Sequence, residues 1–396
     1  MRSTSSENSI YIPEEILINI LLRLPVKSLV RFMCVCKSWN DLIGSSSFIA
    51  RHVNSYVKNL NHAFLVGLRC TQGKPKIRRS IFFNETFKAR CLDMGLRLHG
   101  SSNGLLCLSS NSPNLYSPVS ICNPSIMKYV GLPVTNLSRP PKSKYQCVLA
   151  FGFNPGLNDY KVVRLVTICR QHYIEMEAYN YIEMEVYSLS THSWKSIGVL
   201  PPWIISMYWS SGHAVSNGVA YWIMRAEEDY SLHLVSFDTG SEVFEKVLLP
   251  KDIWGIIQYY IDGFNDIHAY KESVCLLRSH PDNHIDIWVL QEKCLNKLHT
   301  VWFPGSSPVP LGFKTNDELL LKYQKYDQHY LAIFNLQTKQ INETRVTLPV
   351  HCDLDDHVGD TYVASLLLLK DIRAQELRGI SCVFPFMPWK KLMLKK

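Results

Sequence analysis

Between residues 100 and 349 two kinds of phrase alternate, and their regularity limits the fold more than any other feature of the chain. One is a polar turn followed by an apolar strand: SNGLLCL at 102, LNDYKVVRLV at 157, SNGVAYWI at 216, YKESVCLL at 270 and TNDELLLK at 315. The other is a strand, a polar turn and a second strand closing on Pro or an aromatic. It reads VSICNPSIMKYVGLP, MEVYSLSTHSWKSI, LVSFDTGSEVFEKVLLP, IDIWVLQEKCLNKLHTVWF and LAIFNLQTKQINETRVTLP. The pair recurs about every 45–60 residues, and four short antiparallel strands per period is the pattern of a β-propeller blade. A β-sandwich of this length would need no such repetition. Five blades are legible. HAFLVGLRC and KIRRSIFFNETFK, near residues 62–88, and TYVASLLLL at 361–369 supply further strands. Pairing them predicts a sixth blade closed by strands from both ends, which leaves no free sheet edge.

Ahead of the repeats, residues 12–43 read IPEEILINILLRLPVKSLVRFMCVCKSWNDLI. Pro13 suits the start of a helix, where its missing N–H costs nothing, and Glu14 and Glu15 complement the helix dipole. Ile16, Leu17, Ile20, Leu21 and Leu24 follow at helical spacing until Pro25 stops the run. Ser28 is the expected N-cap of a second helix carrying Leu29, Phe32, Val35 and Cys36; Ser38 is that of a third carrying Trp39, Leu42 and Ile43. So small a unit stabilises itself poorly. Its apolar residues cover more of the first two helices than a one-sided stripe would. The surplus predicts a partner, or burial of the hairpin inside a larger domain.

This stretch resembles the F-box, matching at Pro13, Ile16, Leu17, Leu21, Leu24, Pro25, Leu29, Arg31, Phe32, Val35, Cys36, Trp39 and Leu42. The resemblance implies docking onto a Skp-type adaptor, and through it a cullin, by Pro13, Ile16, Leu17, Leu21, Leu24, Pro25, Leu29 and Phe32. Trp39 is expected inside the unit. The repeats in turn resemble the F-box-associated, kelch-related domain of plant F-box proteins, in FGFNPGLNDYKVVRL, MEVYSLSTHSW, GVAYW, VSFDTGSEVFEKVLLP and IDIWVLQEK. The kelch Gly-Gly doublet is missing, and Cys294-Leu-Asn stands where the fourth blade would carry Ser-Trp. DLIGSSSFIARHV is similar to the S-locus F-box group, whose members recognise ribonucleases of the style in pollen. The expectation is a multidomain α+β chain: a small three-helix F-box, then an all-β propeller that binds a protein substrate. Such a chain is the substrate receptor of an SCF (Skp–cullin–F-box) ubiquitin ligase and does no bond chemistry itself; the rival is a propeller scaffold that works without the adaptor. The expected boundaries are a disordered 1–9, the F-box at 10–53, a linker at 54–61, the propeller at 62–370 and a basic flexible tail at 371–396.

The chain has 396 residues, 46% of them hydrophobic and 19% charged, which suits ordinary globular domains. No apolar run reaches the roughly 18 residues of a membrane span. The start, MRSTSSENS, has no signal-peptide core. Twelve cysteines stand singly rather than as a disulfide framework, which predicts a reducing cytoplasm or nucleus. Of the formal charge of +8, much sits beyond residue 372, where Arg373, Arg378, Lys390, Lys391, Lys395 and Lys396 face only Glu376. The repeats carry no comparable basic stripe, so nucleic acid is not an expected partner.

No cofactor and no metal is expected. His280-Pro-Asp-Asn-His284 reads as a solvated turn, and His351, Cys352, Asp353, Asp355, Asp356 and His357 as an exposed acidic loop. No GxSxG, HExxH or phosphate-binding loop occurs. Cys34 and Cys36 have no neighbouring His to activate a thiol. Connections between successive blades carry aromatics in register: Trp203, Trp254 and Trp302, then Tyr208, Trp209, Tyr259 and Tyr260. Large aromatics dominate binding hot spots, so Tyr208, Trp209, Tyr259 and Tyr260 are the candidate substrate contacts. The three tryptophans either share that role or pack between blades.

Overall fold

The computed structural model describes residues 12–58, 63–70, 76–82, 90–92, 96–110, 116–137, 144–170, 179–201, 204–207, 212–226, 232–250, 253, 265–303, 308–315, 317–325, 328–348, 352–353 and 359–376. Four helices come first: α1 (Glu14–Leu21), α2 (Val26–Phe32), α3 (Lys37–Ile43) and α4 (Ser46–Lys58). Their starts differ from the sequence reading. Pro25 itself flanks α2, because its fixed φ already suits a helix entry, and Ser28 lies inside the helix. Cys36 rather than Ser38 precedes α3. The fourth helix runs through the stretch expected to be a linker.

Strands β1 (Ala63–Cys70), β2 (Lys76–Phe82) and β3 (Arg90–Leu92) follow the helices. The repeats then form five sheets in chain order. The first holds β4 (Leu96–Ser102), β5 (Leu105–Ser110), β6 (Val119–Asn123) and β7 (Lys128–Gly131). The second holds β8 (Lys144–Asn154), β9 (Asp159–Arg170), β10 (Tyr179–Ser188) and β11 (Ser193–Val199). In the third are β12 (Ile204–Met207), β13 (His213–Ser216), β14 (Val219–Ala226), β15 (Leu232–Asp238) and β16 (Phe244–Leu248). The fourth comprises β17 (Asn265–Tyr270), β18 (Ser273–His280), β19 (His284–Gln291) and β20 (Cys294–Trp302); the fifth, β21 (Val309–Thr315), β22 (Glu318–Lys325), β23 (Gln328–Asn335) and β24 (Ile341–Leu348). A further sheet is shared between the two ends of the chain. In it β1 pairs with β2 and also with β25 (Cys352–Asp353) and β26 (Gly359–Tyr362). The innermost strands β4, β8, β13, β17, β21 and β26 each meet the next, and β26 returns to β4. The sheets therefore close into a β-propeller.

The repeated turns have a backbone cause. Asn103, Asn158, Asn217 and Lys271 all sit at positive φ in the turn after an innermost strand. Asn-Gly at 103–104 and 217–218 puts both central residues there, which matches the twist of a two-residue hairpin. Met127, His192, Glu242, Lys293 and Lys339 mark the turn before each outermost strand. These turns share one end of the propeller and are tied together. Asn154 Nδ2 donates to Thr239 Oγ1 (2.9 Å), whose hydroxyl donates to the Gly218 carbonyl (2.7 Å). Asn217 Nδ2 donates to the Glu272 carbonyl (3.0 Å).

Residues 363–374 depart from expectation. TYVASLLLL contributes β strand only as far as Tyr362. Beyond it the chain leaves the sheet and crosses the turn end of the first repeat sheet as a strap. Asn123 Nδ2 donates to the Ser365 and Leu367 carbonyls (3.0 and 2.8 Å), and Lys128 Nζ to the Leu369 carbonyl (2.7 Å). A Cβ on Gly104 would collide with the Val363 carbonyl oxygen, so this turn needs glycine for close approach as well as for its φ of 86°. On its other side the strap enters the helical unit. Leu366 is fully buried with Leu21, Val26, Leu29, Ile43 and Phe48, and Ala364, Leu369 and Ile126 pack around them. The tail also begins later than its sequence suggests. Arg373 donates to the Leu189 carbonyl (2.8 Å) and pairs with Asp371, and β27 (Gln375–Glu376) adds to β7.

Candidate adaptor and substrate surfaces

The helical unit divides its apolar residues between three fates. Leu21 and Leu29, expected at the adaptor surface, are instead core, because the strap's Leu366 lies against them. Leu17, Leu24 and Phe32 are half-buried in the same cluster, and Phe32 lies edge-on to Trp39 at 5.4 Å. Trp39 is half-buried rather than internal. Pro13, Ile16 and Pro25 are exposed. The sequence reading missed Ile12, Ile20 and Val35, which are 49%, 48% and 63% exposed, beside Ile16 at 52%. Ile16 and Ile20 stand one turn apart on the open side of α1, and Ile12 lies just ahead of the helix, before Pro13. That spacing was the available signal; the family match drew attention to the leucines instead. His52 is fully buried, and its Nε2–H donates to the Leu24 carbonyl (3.1 Å), tying α4 to the end of α1; burial pulls its pKa down. Cys36 Sγ lies 3.1 Å from Ser38 Oγ, and hydrogen bonds from Ser38 and the Trp39 N–H lower its pKa.

Because the strap joins the helices to the turn end of the sheets, the connections between blades lie at the opposite end. Tyr208, Trp209, Tyr259 and Tyr260, with Trp203 and Trp254, fall outside the described residues. Trp302 ends β20 on that side and is 63% exposed, with its ring 4.4 Å from that of His284. It does not pack between blades. His280 and His284 face each other across the β18–β19 turn, and their rings stack at 3.9 Å. Both imidazoles are folded back onto the sheet, so the solvated turn read from sequence is confined to Pro281 and Asp282. Asp286 is buried, which works against its charge. Lys297 Nζ (2.8 Å) and Thr300 Oγ1 (2.6 Å) outweigh that and hold its pKa below the ordinary value. Burial, then Arg278 and His284, lower the pKa of His280.

Comparison with known proteins matches residues 11–51 to the F-box domain and residues 72–357 to the F-box associated beta propeller domain. The chain belongs to the F-box proteins with an associated β-propeller. It is similar to F-box protein CPR1 of Arabidopsis thaliana, 26% identical over 359 residues that cover 85% of this chain and 84% of that one. An F-box/kelch-repeat protein of the same plant is 26% identical over 296 residues, 71% of this chain and 76% of that one. Among solved structures, TolB from Acinetobacter baumannii aligns over 81% of this chain and 73% of its own, at 11% identity and a TM-score of 0.43, too slight a likeness to carry an argument. No described helix is long and apolar enough to cross a membrane.

Proposed function

We propose that this F-box protein is the substrate receptor of an SCF ubiquitin ligase, binding a Skp-type adaptor by its helices and a protein substrate by the propeller end away from them. The observation that carries the reading is the stripe Ile12, Ile16 and Ile20 left open on a unit whose other apolar face the strap already covers. Such a receptor catalyses nothing. It raises the local concentration of substrate lysines near a charged conjugating enzyme. Cys34, Cys36, Cys107, Cys122, Cys147, Cys275 and Cys294 are free thiols, which supports action in the reducing cytoplasm or nucleus. Recognition of a style ribonuclease is the narrower reading. The phrase behind it, DLIGSSSFIARHV, lies in α3 and α4, where Ile43, Phe48 and Val53 are buried. It therefore bears on packing of the F-box and not on what the propeller grips.

The test is binding of the purified full chain to a purified Skp adaptor. Ile16→Glu and Ile20→Glu each place a charge where about 1.5–3 kcal/mol of burial is expected, so affinity should fall at least tenfold. Melting temperature should stay put, since both side chains are already half in water. Unchanged affinity in the double variant would move the adaptor surface away from the stripe, and no binding by wild type would favour the scaffold that works without an adaptor.

A further inference from the structure

The β18–β19 turn carries three groups that the receptor role does not use. One ring nitrogen of His280, one of His284 and a carboxylate oxygen of Asp282 lie within 4.8 Å of one another. Their surroundings are those of a built site. The ionised Asp286 can only accept, so the 3.0 Å contact to His280 Nε2 means that this nitrogen carries the hydrogen and Nδ1 keeps its lone pair. Carboxylates orient metal-binding histidines in the same way. His284 Nδ1 is closed off from solvent and makes no aligned hydrogen bond, although Asp282 Oδ1 is 2.7 Å away. Asn283 at a φ of 68° tightens the turn, and its carbonyl accepts from the Phe303 N–H (2.8 Å), which pins the turn to the end of β20. Asp282 is 62% exposed and gives an ion access from solvent, while the Trp302 ring walls the side of His284.

From this geometry we infer that His280, Asp282 and His284 form a binding site for a divalent transition ion of the zinc class. Two imidazoles and one carboxylate are ligands that suit Zn²⁺ and its neighbours, and three of them leave a fourth tetrahedral position to water. Magnesium and calcium, which take oxygen ligands, are excluded by the same donor set. Rings stacked 3.9 Å apart at 14° hold their in-plane lone pairs in separate, nearly parallel planes, so an ion bound to both must tilt the two imidazoles out of their stack. Trp302, in contact with His284, reports that movement. The site lies on the propeller end away from the F-box, and the inference holds whether or not the chain acts in a ligase.

Equilibrium dialysis of the full chain against ZnCl₂ tests it, with Asp282→Asn as the main variant, because an exposed turn residue can change without unfolding the sheet. His284→Gln is the second. Wild type is expected to bind one Zn²⁺ per chain more than either variant at micromolar free zinc, or to bind it at least about tenfold more tightly. Zinc should change the tryptophan fluorescence of wild type and leave that of Trp302→Phe unaltered, and excess Mg²⁺ should not compete. Equal zinc uptake by wild type and Asp282→Asn, both folded by thermal melting, would overturn the site by placing any bound ion on other groups.

Discussion

Arg164 and Glu185 meet at 2.6 Å inside the second repeat sheet, both buried, with the guanidinium 4.2 Å from the centre of the Trp194 ring. Glu185 also accepts from the Asn136 N–H (3.2 Å), while Asn136 Nδ2 donates to the Trp194 carbonyl (2.9 Å). The pair thus links β9 and β10 to the connection arriving from β7. Removing one partner strands the other charge, so Glu185→Gln should cost about 3–5 kcal/mol in denaturant unfolding. Nothing in MEVYSLSTHSW announces that Glu185 faces inward. Alternation in a strand gives the side a residue takes, but a buried charge is legible only once its partner is placed. Gly104 shows the converse. SNGLLCL identifies the hairpin turn, yet the second reason for glycine, the strap's carbonyl against its Cα, depends on a residue more than 250 positions later. Gly104→Ala should lower the melting temperature by several degrees, since it adds a clash to an unfavourable φ.

At the scale of elements, the hairpins were legible because each is a local event: polar turn, positive-φ residue, apolar strand. The strap was not. TYVASLLLL has the composition of a strand, and what takes it out of the sheet is the demand of the helical unit for a cover over Leu21 and Leu29. The surplus apolar surface read from IPEEILINILLRLPVKSLVRF is real, and the chain's own Leu366 takes part of it. Leu366→Ala should destabilise by about 2–5 kcal/mol, and calorimetry of the full chain should show the loss in the transition that includes the helices. The tail can be cut in two places with different results. Ending the chain after Glu376 should leave the melting temperature unchanged; ending it after Lys370 removes Asp371, Arg373 and β27 and should lower it. Hydrogen bonds from Arg373 hold the Asp371 carboxyl below its usual pKa. A depressed carboxylate stabilises the fold above its unfolded value of about 3.9, and the contribution disappears as pH falls through the folded value. Melting of Asp371→Asn should therefore trail that of wild type at pH 7 and approach it as pH falls below the ordinary carboxylate range.

Over the whole molecule, strands from both ends close the ring, and the strap returns to complete the helical unit where the chain began. The F-box core waits for Leu366, more than 300 positions downstream of Phe48, and the same strap is tied to the propeller by the Asn123–Ser365 bond. The consequence for function is a fixed geometry. The isoleucine stripe sits at one end, blade connections and the His280–His284 turn at the other, and the strap packs between helices and sheets. In the proposed function the open stripe on α1 receives an adaptor while the strap already holds the helices to the propeller. Hydrogen–deuterium exchange of the full chain, free and saturated with a Skp adaptor, tests both halves at once. Amides of residues 12–20 should gain protection on binding, and those of residues 363–369 should be protected equally in both states. Protection at 363–369 that appears only with the adaptor, or none gained at 12–20, would contradict it.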